Sequence, residues 1–209
     1  MRILLATRSQ DKAREIRHLL GGAPGITLLT LDDIGCAPDP GEDSLEVYET
    51  FQENAAAKAR YFARLAAMPA LADDSGLRVD ALGGAPGVRT KRFSGRQDLS
   101  GRALDEANNE TLLERLRGVP AGARGARYVC AAALASPDGR LIVCVGSHRG
   151  EIATAPRGTG GFGYDPLFLI PELGKTFAEI PAAEKNRISH RARAFRGLAA
   201  LRTAWPVDT

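Results

Sequence analysis

The stretch Leu71-Ala72-Asp73-Asp74-Ser75-Gly76 constrains this chain more than any other, because it sets two adjacent carboxylates directly behind a short apolar approach. Like charges side by side repel and lose solvation when partly buried, so such a pair is tolerated best with a cation in front of it. Ser75-Gly76 predicts a sharp turn after the acids, and Gly83-Gly84-Ala85-Pro86-Gly87 predicts a stiff loop, poor in side chains, that a bulky group can approach. The pattern points to a metal and phosphate site. For an isolated acidic pair the plain alternative is a surface turn.

The chain has 209 residues, 44% hydrophobic and 25% charged, enough for one substantial core or for two lobes. A net charge of +3, with basic residues scattered apart from Arg187, Arg191, Arg193 and Arg196, does not demand a nucleic acid and suits a small anionic ligand better. Cys36, Cys130 and Cys144 have neither disulfide nor metal-ligand spacing, which fits reduced thiols in a cytoplasmic protein. Cys130 and Cys144 are expected to fill strand interiors. The apolar run Ile3 to Ala6 is too short for a signal peptide, and no segment approaches a membrane span.

Periodicity predicts an alternating α/β order. Arg2 to Ala6 reads as a buried strand, followed by a helix capped by Ser9 and carrying Ala13, Ile16, Leu19 and Leu20 at helical spacing until Gly21-Gly22. Ile26 to Leu31 reads as a second strand, and Asp32 to about Leu45 as a loop. Thr50 and Glu53 have capping-box spacing before an Ala-rich helix to Ala67, with Phe51, Ala55, Ala59 and Phe62 on one face. Further expectations are a helix over 108–117, a strand pair over 127–135 and 141–146 joined at Pro137-Asp138-Gly139, and a final helix over 188–204.

Several motifs carry chemistry. Thr7 to Lys12 offers free amides at a helix start, and Lys12 in the first turn opposes the helix dipole, a hint of an anion nearby. His190, Arg191 and Arg193 crowd the start of the last helix in the same way, with Lys185 just before. His190 has no second ligand at zinc spacing. Asn54 and Lys58 lie one turn apart and can point at one target, and Glu46, Glu49 and Glu53 gather near the same helix start. Gly158-Thr159-Gly160-Gly161-Phe162-Gly163 matches a dinucleotide loop in spacing alone. Tyr164-Asp165-Pro166 follows where a helix should open, so that reading fails. What the glycines supply is close backbone approach around Phe162, whose ring can wall a flat ligand.

Five blocks occur in a family order: TFQENAAAKA (Thr50 to Ala59), ADDSGLRVDALGGAPGV (Ala72 to Val88), NNETLLERL (Asn108 to Leu116), GTGGFGYDPLF (Gly158 to Phe168) and EKNRISHRARA (Glu184 to Ala194). Together they resemble the inosine/xanthosine triphosphate pyrophosphatases over nearly the whole chain. The resemblance implies one domain, 1–209, with an elongated central mixed β-sheet flanked by helices and two lobes around a nucleotide cleft. It also implies a homodimer with neither nucleic-acid nor membrane partner, and Mg²⁺-dependent cleavage of ITP, dITP and XTP to the monophosphate and pyrophosphate.

Carried over by position, Glu46 and Asp74 are the metal ligands, and Asp74 or Asp73 polarises the attacking water. Lys58, with Lys12 and Lys185, stabilises charge on the phosphates, and Asn54 and Ser75 organise that site. Thr7 and Ser9 belong to the first phosphate loop. Phe162 stacks on the purine within the loop that continues through Gly163 and Tyr164, while Asp165, Lys185, His190 and Arg191 surround the base edge. The chain departs from the family pattern at Ser9, where Asn is usual, and at Thr90-Lys91-Arg92, where Ser-Ala-Arg is common. A related pyrophosphatase for pyrimidine or modified nucleotides is the first alternative. A non-catalytic nucleotide-binding regulator is the second, although the acid pair argues against it.

Overall fold

A computed structural model describes residues 1–21 and 25–201. The chain opens with strand β1 (Arg2–Leu5), helix α1 (Gln10–Leu20) and strand β2 (Thr27–Thr30). The Ser9 hydroxyl oxygen caps α1 by accepting from the Lys12 amide at 3.3 Å. β1 and β2 run parallel with Leu4 opposite Leu29, a pairing that requires the long return supplied by α1. Gly22 of the expected helix stop lies outside the described residues.

The segment expected as a loop over 32–45 holds a 3-10 helix, Pro40–Glu46. Asp39 caps it by accepting from the Gly41 amide at 2.6 Å while the Glu42 carboxylate accepts from the Asp39 amide at 3.2 Å. An acid, a proline and a second acid three positions on form a helix-start signal that the Pro and Gly content obscured. Helix α2 (Phe51–Ala66) follows, capped by Thr50 and closed by Ala67 in the left-handed region at φ 49°. Its predicted face, Phe51, Ala55, Ala59 and Phe62, is buried.

Strand β3 (Ala70–Val79) corrects the expected turn at Ser75-Gly76, because it runs straight through both acids and both of those residues. In an extended strand, successive side chains leave on opposite faces, so Asp73 and Asp74 separate rather than confront each other. The turn comes later, where Gly83, Gly84 and Gly87 all take positive φ. Helix α3 (Gly101–Arg115) begins seven residues before the expected Asn108. Strands β4 (Gly125–Ala135) and β5 (Leu141–Ile152) are sheet neighbours joined through Pro137-Asp138-Gly139 as expected, and β5 extends beyond Gly146.

Strands β6 (Phe168–Ile170) and β7 (Lys175–Thr176) add antiparallel to β5 in turn. They complete a mixed seven-stranded sheet of order β2-β1-β3-β4-β5-β6-β7. The expected final helix is two, α4 (Ala182–Ile188) and α5 (His190–Leu201), parted by Ser189 in extended geometry at ψ 160°. The expected end at Ala204 lies outside the described residues. Among the described residues, no helix is long and apolar enough to cross a membrane.

Contacts divide the chain into two units. The first comprises residues up to Asp74, Cys130–Gly146 and the chain from His190; the second comprises Ser75–Val129 and Ser147–Ser189. The first unit has a core of Ile3, Leu5, Ile16, Leu71, Leu134, Phe195 and Leu198, in which Cys130 is buried as expected. The second has its own core around Leu77, Leu112, Tyr128, Phe168 and Phe177, with the last two rings stacked at 5.1 Å.

Close approach of α5 to β5 in the first unit depends on Gly146, where an added Cβ would lie 2.3 Å from the Ala194 nitrogen and the His190 carbonyl oxygen. Both are backbone atoms and cannot swing aside. Gly146→Ala should therefore destabilise the protein by about 1–3 kcal/mol through overpacking, read as a lower urea midpoint with an unchanged slope.

Candidate active site

In the first unit the acids of β3 each find their own partners. Asp73 is fully buried, and its Oδ2 takes Lys12 Nζ from α1 at 3.3 Å. The same oxygen accepts from Arg191 Nε at 3.3 Å and Nη2 at 3.2 Å, from α5. Cys130 lies 3.8 Å away on β4. Arg191 also donates to Glu15, one turn along α1 from Lys12. At the start of α5 the charge of Arg191 is thus answered by the protein's own carboxylates. Arg191 is 1% exposed, with Nε, Nη1 and Nη2 all donating to them.

Asp74 meets α2 instead. Its Oδ2 accepts from Asn54 Nδ2 at 2.9 Å, and the Asn54 amide oxygen takes the Tyr48 backbone N–H at 2.9 Å. One turn further along α2, buried Lys58 pairs with Glu46 at the end of the 3-10 helix, whose side chain is 41% exposed. The single target expected for Asn54 and Lys58 is not what they meet, since each bonds its own acid, Asp74 and Glu46. Ser75, half-buried, is the next residue of the strand. Thr7 Oγ1 accepts from the Ser9 amide at 3.2 Å, so the segment before α1 is tied to its cap.

The same burial acts differently on the two acids. Desolvation alone raises a carboxylic acid, but the charges of Lys12, Arg191 and Lys58 outweigh it at Asp73 and hold that group well below the usual range. At Asp74 burial wins over Lys12 and Lys58, helped by the negative charge of Glu46, and the carboxyl is raised. Glu46 is lowered because Lys58 overcomes its burial, and Lys58 is raised because Glu46, Asp73 and Asp74 overcome its own. Two neighbouring acids driven apart in this way can divide their roles, one a fixed anion and the other a proton acceptor.

The fit to a divalent cation rests on oxygen chemistry. Buried Asp73 Oδ1 has no partner, and Glu46 and Asp74 lie within electrostatic reach of each other. Among the described residues, no group of three or more His, Cys, Asp or Glu side chains could hold a metal ion. Mg²⁺ needs no such cage, since it is bound through one or two carboxylates, water and substrate phosphates.

In the second unit the glycine-rich segment is a loop with no helix opening from it, which disposes of the dinucleotide reading. Phe162 is half-buried in it, with Lys185 Nζ 4.8 Å from the ring centre. Lys185 from α4 pairs with Asp165 at 2.5 Å, and both are buried. Asp165 also accepts from the Phe162 amide at 2.9 Å. Gly161 is required beside it, because a Cβ there would lie 2.0 Å from Asp165 Oδ2. Tyr164 sits in the core and gives its hydroxyl proton to the Thr90 carbonyl at 2.7 Å, so its side chain serves the fold. Thr90, one of the departures from the family pattern, also accepts from the Leu77 amide through Oγ1 at 3.2 Å.

His190 and Arg191 lie in the first unit, whereas Phe162, Asp165 and Lys185 lie in the second. Three residues escaped the sequence reading. Glu15 gives no local sign, since its partner is far along the chain. Asp105 and Asn109 hold the two backbone groups of Gly163, and only their four-residue spacing on α3 offered a clue.

Arg191→Met should leave buried Asp73 with Lys12 but without its hydrogen-bonded guanidinium, and destabilise the protein by about 3 kcal/mol. Because Asp73 is lowered by its partners, the stability it contributes is complete above an ordinary aspartate pKa of about 4 and is lost as pH falls through the folded value. Denaturant unfolding from neutral to acid pH should therefore show the gap between wild type and variant closing on acidification. A constant gap would mean that Arg191 acts through packing alone.

The chain is similar to known proteins over nearly its whole length. The sequence model of the Ham1 family matches residues 3–201. A dITP/XTP pyrophosphatase of Frankia alni is 50% identical over 201 residues, 96% of each chain. One of Geobacter sulfurreducens is 49% identical over 193 residues, 92% of each chain. Among solved structures, a HAM1 protein from Coxiella burnetii superposes with a TM-score of 0.83 at 35% identity, covering 98% of this chain and 99% of that one. The Staphylococcus aureus Ham1 protein gives 0.82 at 33%, covering 99% of this chain and 100% of that one. The five sequence blocks, the mixed sheet and the full-length similarity agree: this chain belongs to the Ham1 family.

Proposed function

We propose that the protein hydrolyses the non-standard purine nucleoside triphosphates ITP, dITP and XTP to the nucleoside monophosphate and pyrophosphate, removing them from the nucleotide pool. The observation that carries the reading is the buried Asp73-Asp74 pair with Lys12, Lys58 and Glu46 about it in one unit. The names of the Frankia and Geobacter relatives support the substrate class.

The residues divide the work by their electrostatics. Asp74, raised by burial, is the better proton acceptor and takes the proton of a water that attacks the α-phosphorus. The bond from that phosphorus to the departing pyrophosphate oxygen then breaks. Lys12 and Lys58 stabilise the charge that grows on the phosphate oxygens, already held in position by Asp73 and Glu46. Asp73 remains an anion, locked by Arg191 and Lys12, and holds these cations in place. Glu46 and Asp74 would hold Mg²⁺, which neutralises phosphate charge when bound. Thr7 and Ser9 offer hydroxyls at the start of α1, while Asn54 and Ser75 orient the acids.

In the second unit Phe162 stacks on the purine, and Lys185 and Asp165 read its edge. Arg191 and His190, the other residues of the expected base edge, belong to the first unit, where Arg191 donates to Asp73 and Glu15. Gly163 and Tyr164 shape the loop around the base. The reading also includes one catalytic domain, a homodimer and a cytoplasmic location, the last supported by the free thiols Cys36, Cys130 and Cys144.

Product analysis with Mg²⁺ and a panel of nucleoside triphosphates tests the reading directly. ITP, dITP and XTP should yield monophosphate and pyrophosphate, and stepwise release of orthophosphate through the diphosphate would refute attack at the α-phosphorus. Asp74→Asn should lower kcat by at least about 100-fold with the fold retained, since it preserves shape and removes the proton acceptor. Near-normal turnover in that variant would assign the water to another group.

A further inference from the structure

We infer that Asp105 and Asn109 of α3 are positioning residues for the base-binding wall, anchoring Gly163 so that the Phe162 ring is presented in one orientation. The inference rests on the proposed role of Phe162 in stacking. The two side chains are four residues apart on one helix and so project toward the same place. Asp105 Oδ2 accepts from the Gly163 amide at 2.7 Å, and Asn109 Nδ2 donates to the Gly163 carbonyl at 3.0 Å. Both backbone groups of the residue after Phe162 are therefore held by α3, while the amide of Phe162 itself is held by Asp165.

The loop needs such anchors. Gly158, Gly161 and Gly163 all take positive φ, a freedom that permits the close turns but also leaves the ring's carrier easy to displace. An aromatic wall contributes to base selection only as far as its position is maintained. Asn109 is 7% exposed and its Oδ1 has no partner, so the bond to the Gly163 carbonyl is made at the expense of a buried unsatisfied acceptor. That arrangement is understandable if the placement of the loop, rather than the packing of α3, is what the residue serves.

Hydrogen exchange of the segment from Gly158 to Phe168 reads the anchor without any ligand. Asp105→Ala and Asn109→Ala should raise its exchange rate about tenfold, the equivalent of one hydrogen bond. Asp105→Asn, which keeps an acceptor for the Gly163 amide, should show a smaller rise of the same kind and serves where alanine unfolds the unit. Kinetics read the consequence: KM for ITP should rise about five- to tenfold with a far smaller change in kcat. Inhibition by inorganic tripolyphosphate, which has no base, should not change. In a Phe162→Ala background, Asp105→Ala should add little, because the ring it positions is gone. Unchanged exchange, equal losses for tripolyphosphate and ITP, or full additivity with Phe162→Ala would each overturn the inference. Wild-type protein that leaves ITP intact would instead refute the hydrolase reading, and the exchange result would still decide whether the anchor exists.

Discussion

A fully buried aspartate must be neutralised or the strand that carries it cannot lie inside a protein, and Asp73 is neutralised by Lys12 and Arg191. These cations come from α1 and α5, so the charge requirement of one residue of β3 brings two helices of the first unit to the same spot. Glu15 closes the arrangement by taking the remaining reach of Arg191. Arg191 is the member that joins the two carboxylates, Asp73 on β3 and Glu15 on α1, so its loss takes a partner from both.

Opposite side-chain directions along β3 then give the two acids different fates. Asp73 is drawn into a network of cations, while Asp74 faces Asn54 at the start of α2. Burial raises one and surrounding charge lowers the other. The continuous strand sends the two acids to different partners and so to opposite shifts.

The second unit solves a different problem. A glycine-rich loop bends tightly enough to bring backbone near a ligand, but it is conformationally loose. Here its position is restored by side chains from outside the loop: Asp165 on the Phe162 amide, and Asp105 and Asn109 on Gly163. Lys185 connects the loop to α4 through its pair with Asp165 and its place over the Phe162 ring. Flexibility in covalent structure and rigidity in hydrogen bonding are thus combined in six residues.

Features set by near neighbours were legible in the sequence. Ser9 and Thr50 announced their helices, the Phe51 to Phe62 face announced its burial, and Pro166 excluded a dinucleotide helix after the glycines. The ordered motifs identified the family and drew attention to Asp73, Asp74, Lys58 and Phe162 before any coordinates. The cap at Asp39 and the break at Ser189 were also local, but composition masked the first and helical periodicity ran through the second. What only the tertiary structure decided was the pairing of charges. Arg191 reaches Asp73 across 118 residues, and Asp105 reaches the Gly163 amide across 58. Caps and amphipathic faces depend on residues within a turn of one another, whereas the partner of a buried charge depends on which distant elements the packed sheet brings beside it.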